Sequence, residues 1–242
     1  MQVDALAVRL RPRTAMEAAD LGVRLCQSAV RSVYACYAVV FVPVTALALA
    51  TLEIAPWLPP LILWCAKPWL DRTILFVLSR AAFAQRSTLG DLWRAQRQVW
   101  WGQLLLTWTL RRLSPWRALT QPVYQLEGLS FGSYRKRVRQ IRGRATGAAL
   151  LLTSAFSLAE AALWFALSSL AVWLAPPGQG QGFAGLFAAS DWDALVGSVL
   201  YAMVIAFLEP YYVASGFAMY LNRRAELEAW DIEQEFRRAF AH

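Results

Sequence analysis

The stretch Thr146–Pro176, TGAALLLTSAFSLAEAALWFALSSLAVWLAP, decides the fold. As a helix rising about 1.5 Å per residue, it is long enough to cross a hydrocarbon core roughly 30 Å thick. A second run, Ala194–Gly216, ALVGSVLYAMVIAFLEPYYVASG, meets the same requirement. The link between them carries no Lys or Arg, whereas Arg80–Arg144 carries thirteen basic residues against two acids, Asp91 and Glu127. Basic residues are retained on the cytoplasmic side, so this asymmetry orients the chain. Residues 80–146 form a basic cytoplasmic or interfacial region, and Pro176–Trp192 is an outer loop.

Composition agrees with lipid as the solvent. The chain is 58% apolar and 17% charged, against about 25% charge in an ordinary soluble domain. The size suits a single membrane domain over residues 1–242, without a separate soluble enzyme domain. The net charge of +8, next to membrane spans, points to anionic phospholipids as partners and away from nucleic acid. Cys26, Cys36 and Cys65 lie in or beside apolar stretches with no CxxC spacing, where Cys acts as a small hydrophobe. His242 is the only histidine. Histidine-based metal sites and a serine–histidine triad are thereby excluded. No HExxH, GxSxG or P-loop occurs, so no catalytic, cofactor or metal residue is assigned, and an enzyme is the less favoured class.

Working outward, residues 1–32 lack a long apolar core and read as a cytoplasmic amphipathic arm. Val33–Leu52 is the first span, bent at Pro43. The segment Ile54–Phe83 is long enough to return, but contains Lys67, Asp71 and Arg72 and is interrupted by Pro68. Charges at membrane depth are costly unless paired or near a water path. Lys67 and Asp71 are four apart, which suits a structural ion pair on one helix face or, alternatively, an ion or substrate site at a broken helix. Gln85–Trp100 reads as a cytoplasmic amphipathic helix. Val99–Leu110 is too short to span and reads as interfacial or re-entrant. SPWRALTQPVYQLEGLSFGSY (residues 114–134) reads as an irregular connector. Arg135, Lys136, Arg137, Arg139, Arg142 and Arg144 then form a basic run suited to lipid headgroups.

In the third span, Thr153, Ser157, Glu160 and Trp164 share one helical side. Ala155, Ala159, Ala161 and Ala162 would allow close packing. In the fourth span, Glu209 precedes Pro210, which frees the Ala206 carbonyl, with Tyr201, Tyr212 and Ser215 near the same side. Residues 221–242 follow as a cytoplasmic amphipathic helix with one apolar face. The expected fold is therefore an all-α polytopic membrane protein. It has about four transmembrane helices, supplemented by interfacial or re-entrant and cytoplasmic amphipathic helices, with both termini inside.

The stretches LILWCAKPWLDRTILFVLSRAAF, LTWTLRRLSPWRAL with PVYQLEG, and EPYYVASGFAMYLNRRAELEAWDIEQEFR resemble those of an uncharacterised family of proteobacterial inner-membrane proteins. The joined pattern Glu209–Pro210, Asn222–Arg223–Arg224 and Trp230–Asp231–Ile232–Glu233 is its most specific part. Such genes sit near genes for a MoxR-type AAA+ ATPase, a von Willebrand A-like protein and a membrane transglutaminase-like protein. The resemblance implies a subunit of a cell-envelope assembly with those proteins as partners, and transfers no catalytic residue. A more distant similarity is to membrane domains beside glycerophosphodiester phosphodiesterases, without the hydrolase domain. The leading expectation is a non-enzymatic scaffold or assembly subunit, possible also as a homo-oligomer. The alternatives are an oligomeric transporter or lipid-handling protein using the embedded charges, and a membrane enzyme. Convergence of those charges on a cavity separates the second class from the first.

Overall fold

The computed structural model describes residues 13–85, 87–101, 114–129, 131–174 and 191–228. The described residues are helical and contain no strand. The elements are α1 (Ala15–Ser28), α2 (Val30–Leu49), α3 (Leu58–Ala81), α4 (Leu89–Arg94), α5 (Arg117–Leu126), α6 (Phe131–Arg142), α7 (Thr146–Leu174) and α8 (Asp191–Glu228). Three helical runs among the described residues are long and apolar enough to cross a membrane: α2, the continuous run 132–174, and α8. The chain is an all-α membrane protein. The second expected crossing, α3, has 24 residues and one continuous course through Pro68, about 36 Å of helix. Its buried charges keep it from reading as an apolar span.

The helix α8 is the spine. Its 38 residues run unbroken through Pro210. The segment expected to be helical from residue 221 is helical as far as Glu228 and is continuous with the span. Helix formers such as Ala225 and Glu226 follow the span directly, with no glycine or proline to stop it. Residues 229–242 lie outside the described residues.

The N-terminal arm is docked along this spine. Thr14 and Glu17 form a reciprocal capping box that starts α1. The Asn222 side chain then clamps Arg13, accepting from its N–H at 3.2 Å and donating to its carbonyl at 3.0 Å. Further along, Gly22 lies so close to α8 that a Cβ there would sit 2.2 Å from the Ala214 carbonyl oxygen. Tyr34 donates to the Phe207 carbonyl at 3.1 Å. These pairings make α1 and α2 antiparallel to α8. Cys26 is fully buried in this packing, and burial pushes its thiol up to about 11.

Residues 114–134 correct the expected connector. Arg117–Leu126 is a helix, with Ala118 through Gln125 all buried. It fits because Gly216 admits it: a Cβ at Gly216 would lie 2.2 Å from that of Ala118. Its polar side chains find backbone partners on α3, since Gln121 donates to the Pro68 carbonyl at 3.4 Å and Gln125 to that of Arg72 at 2.8 Å. Gln85–Trp100 is likewise shorter than expected, resolving into α4 and a π-helical turn over Arg97–Trp101. Of the expected re-entrant segment Val99–Leu110, only residues 99–101 are described. There Trp100 donates to Thr73 at 3.1 Å, and Trp69 donates to the Trp100 carbonyl at 3.2 Å.

The third span, α7, buries only Ala149, Leu152 and Ser168. Leu158 is 72% exposed, Leu174 likewise 72% and Trp173 88%, so most of its surface faces lipid. Ala155, Ala161 and Ala162 are exposed as well and do not pack as expected. Lipid tails give apolar helices little reason to prefer one another, so directed polar bonds must seat such a helix. Those bonds come from the side read in the sequence. Thr153 donates to the Pro115 carbonyl at 2.6 Å, and its hydroxyl lies 3.1 Å from that of Tyr212. Trp164 donates to the Gly197 carbonyl at 3.1 Å.

Candidate functional site: an ion-paired cavity between α3, α5, α7 and α8

Each charged residue inside the bundle is placed by its helix. Lys67 and Asp71 occupy successive turns of α3, Arg117 opens α5, Glu160 lies midway along α7 and Glu209 midway along α8. Lys67 pairs with Glu160. Its Nζ also lies 3.1 Å from Glu209 Oε2. Arg117 Nη2 lies 2.6 Å from Glu209 Oε1, and its Nε lies 3.1 Å from Asp71 Oδ2. Glu209 thus joins the two cations, and each cation is shared between two carboxylates.

The i,i+4 pair expected between Lys67 and Asp71 does not form, since each takes partners from other elements. Glu160 and Glu209, on different spans, meet through Lys67. The burial is deep, with side-chain exposure of 6% for Lys67, 4% for Glu209 and 0% for Asp71, against 19% for Glu160. Removing these ions from water carries a large penalty, which mutual attraction offsets only when the partners are well placed.

Arg117 joins the cluster although its sequence signal is faint: the four-residue polar spacing Arg117, Gln121, Gln125, alternating with Leu119 and Val123 on a helix. Arg72 belongs elsewhere: its guanidinium lies 5.7 Å from the Tyr124 ring centroid, on the side toward α5. Tyr212 joins the cluster twice, through its hydroxyl contact with Thr153 and through its ring, 5.3 Å from the Arg117 guanidinium carbon.

The cluster borders a cavity of about 280 Å³. Lys67, Arg117, Glu160 and Glu209 supply its charges, and Trp64, Phe156 and Tyr212 its aromatic walls. Trp64 and Ser157, also on the wall, are exposed, so the cavity opens to the outside of the bundle. On another side of α3, an apolar groove of about 420 Å³ runs past Leu47, Leu61, Cys65 and Trp100 and has no charged lining. Among the described residues, no group of three His, Cys, Asp or Glu is placed to hold a metal ion.

The expected headgroup-binding run divides in two. Arg135, Lys136, Arg139 and Arg144 are exposed. Arg137 is held by Glu127 at 2.9 Å and by Glu228. Glu127 also accepts from Tyr220 at 2.6 Å, tying α6 to α8. Arg142 stacks on Trp116, its guanidinium carbon 3.6 Å from the ring centroid. Trp116 in turn donates to the Thr146 carbonyl at 3.2 Å. Comparison with protein-family models, curated proteins and solved structures finds no match to this chain.

Proposed function

We propose that this chain is a multi-pass protein of the bacterial inner membrane that handles a lipid or amphipathic solute, taking its polar head into the cavity between α3, α5, α7 and α8. The observation that carries this reading is the convergence of four charged side chains from four helices on one open cavity of about 280 Å³. A dry, fully packed interior would have favoured the scaffold or assembly subunit that the resemblance implies. The exposed basic face of α6, Arg135, Lys136 and Arg139, supports contact with anionic headgroups at the membrane surface. It also supports placing that end of the bundle, with both termini, in the cytoplasm. A MoxR-type ATPase or transglutaminase-like partner would then dock at that face.

Native mass spectrometry of gently purified protein tests the reading. A co-purifying ligand near one per chain is expected, and Ser157→Phe, which fills the cavity from its rim, should remove it while melting at the same temperature as the delipidated unaltered protein. Absence of a ligand, or equal retention by Ser157→Phe, would return the protein to the scaffold class.

A further inference from the structure

We infer that another flank of α3, away from the ion pairs, binds one anionic phospholipid, its phosphate on Arg94 and Arg97 and an acyl chain in the apolar groove beside α2. The site does not depend on the cavity. The short helix α4 begins beside the last turn of α3, where Arg80 lies 3.7 Å from Asp91. With the turn that follows, it descends along α3 as far as Thr73, to which Trp100 donates at 3.1 Å. Thr73 lies about 12 Å of helix from Ala81, where α3 ends. Leu92 and Val99 are buried on the inner side of this descent. The other side presents Trp93 and Trp101, 65% and 67% exposed, together with the exposed Arg94 and Arg97. Tryptophans interleaved with basic residues suit a surface at headgroup level.

Trp101 joins that face to the groove. With Trp100 it walls a groove of about 420 Å³ that passes Trp69, Cys65 and Leu61 of α3 and Leu47 of α2 and has no charged lining. A lipid whose head rests on the arginines therefore meets an apolar channel for one of its tails. Charge selects the head. Arg97 has no ion-pair partner among the described residues. Asp91, the acid nearest in sequence, is held by Thr88 and Arg80. No Asp or Glu occurs from Leu92 to Leu126. Guanidinium N–H groups match the oxygens of a phosphate. An anionic head such as phosphatidylglycerol brings no cation of its own, whereas the ammonium of phosphatidylethanolamine would be repelled by the same arginines. An acidic protein segment would satisfy the arginines but not the groove.

The test uses the whole protein in nanodiscs containing equal phosphatidylglycerol and phosphatidylethanolamine of matched acyl chains. The photoreactive residue benzoylphenylalanine replaces Trp101 at the rim of the groove or, as a reference, Leu158 on the lipid-facing side of α7. Mass spectrometry identifies the lipid captured on irradiation. Position 158 should report the bulk mixture. Position 101 should capture phosphatidylglycerol preferentially, and Arg97→Gln should lower that preference about fivefold, as loss of one basic residue at the membrane surface implies. Cys65→Phe, which fills the groove, should reduce capture of both lipids at position 101. Arg139→Gln on α6 and Ser157→Phe in the cavity should leave the preference unchanged. A preference as sensitive to Arg139→Gln as to Arg97→Gln would reflect only the general field of the basic end and overturn the inference. Bulk composition at position 101, an excess of phosphatidylethanolamine, a captured fatty acid or no captured lipid would also overturn it. Should Cys65→Phe not fold, the response to Arg97→Gln, a change at an exposed residue, still decides.

Discussion

Lys67 on α3 and Glu160 on α7 form an ion pair across 93 residues of sequence. The pair reaches over a cavity, and α7 is otherwise lightly packed. Much of the attachment of α7 therefore rests on this pair, the Thr153 hydroxyl and Trp164.

Lys67→Met should be strongly destabilising, because it leaves Glu160 and Glu209 without their shared cation. Removing one partner of a buried pair costs about 3–5 kcal/mol. Glu160→Gln should cost less, since its carboxyl is the more exposed member. The double variant should recover part of the loss. Thermal melts in detergent, read as a double-mutant cycle, check this. Additive effects within about 0.5 kcal/mol would mean that the two side chains do not interact.

Two glycines set the closest helix contacts. Gly22→Ala and Gly216→Ala should each lower stability by about 1–3 kcal/mol through overpacking. At both positions the added Cβ would lie 2.2 Å from a neighbour. Gly147→Ala, where a Cβ meets nothing within 4 Å, should be neutral or slightly stabilising, as expected for removing a helical glycine. The same melting assay compares the three.

The start of α4 should loosen in acid. The Thr88 backbone N–H, at 3.0 Å, and its hydroxyl, at 2.9 Å, both donate to Asp91. These bonds hold its carboxyl below the usual carboxylate range. A carboxyl depressed on folding stabilises above its unfolded value, about 3.9, and that contribution is lost as pH falls through the lower folded value. The protection of residues 89–95 against hydrogen exchange, relative to the intrinsic rate at each pH, should therefore fall below about pH 4. Asp91→Asn should abolish that pH dependence.

Sidedness follows from the two ends of the bundle. Cysteines placed at Glu53, in the exposed turn between α2 and α3, and at Ser133, exposed on α6, should label from opposite faces of the membrane. The native cysteines are removed first. Labelling of both from one face would contradict the orientation drawn from the basic residues.

The sequence showed the spans readily because length and apolar content are local properties, as in Thr146–Leu174. It also showed which side of α7 faces inward, because Thr153, Glu160 and Trp164 repeat at helical spacing. It did not show who pairs with whom. The Lys67–Asp71 spacing suggested a local pair, but the buried alternatives on α5, α7 and α8 take both residues. Arg117 escaped notice because Pro122 and polar neighbours made α5 look irregular. In the protein those glutamines bond to α3, and Gly216 gives the helix room. The division of the basic run had the same origin. Only folding brings Glu127 and Glu228 to Arg137, and Trp116 to Arg142.

The central claim is that a polar cavity lies at membrane depth beside Glu160. Spin labels placed singly at Ser157 and Leu158 in lipid vesicles test it most directly. Neighbours in sequence, they lie on different sides of α7, Ser157 on the cavity wall and Leu158 exposed to lipid. At equal depth, the label at 157 should be relaxed strongly by a water-soluble nickel complex, and that at 158 by oxygen alone. Matching profiles at the two positions, both dominated by oxygen, would contradict the account.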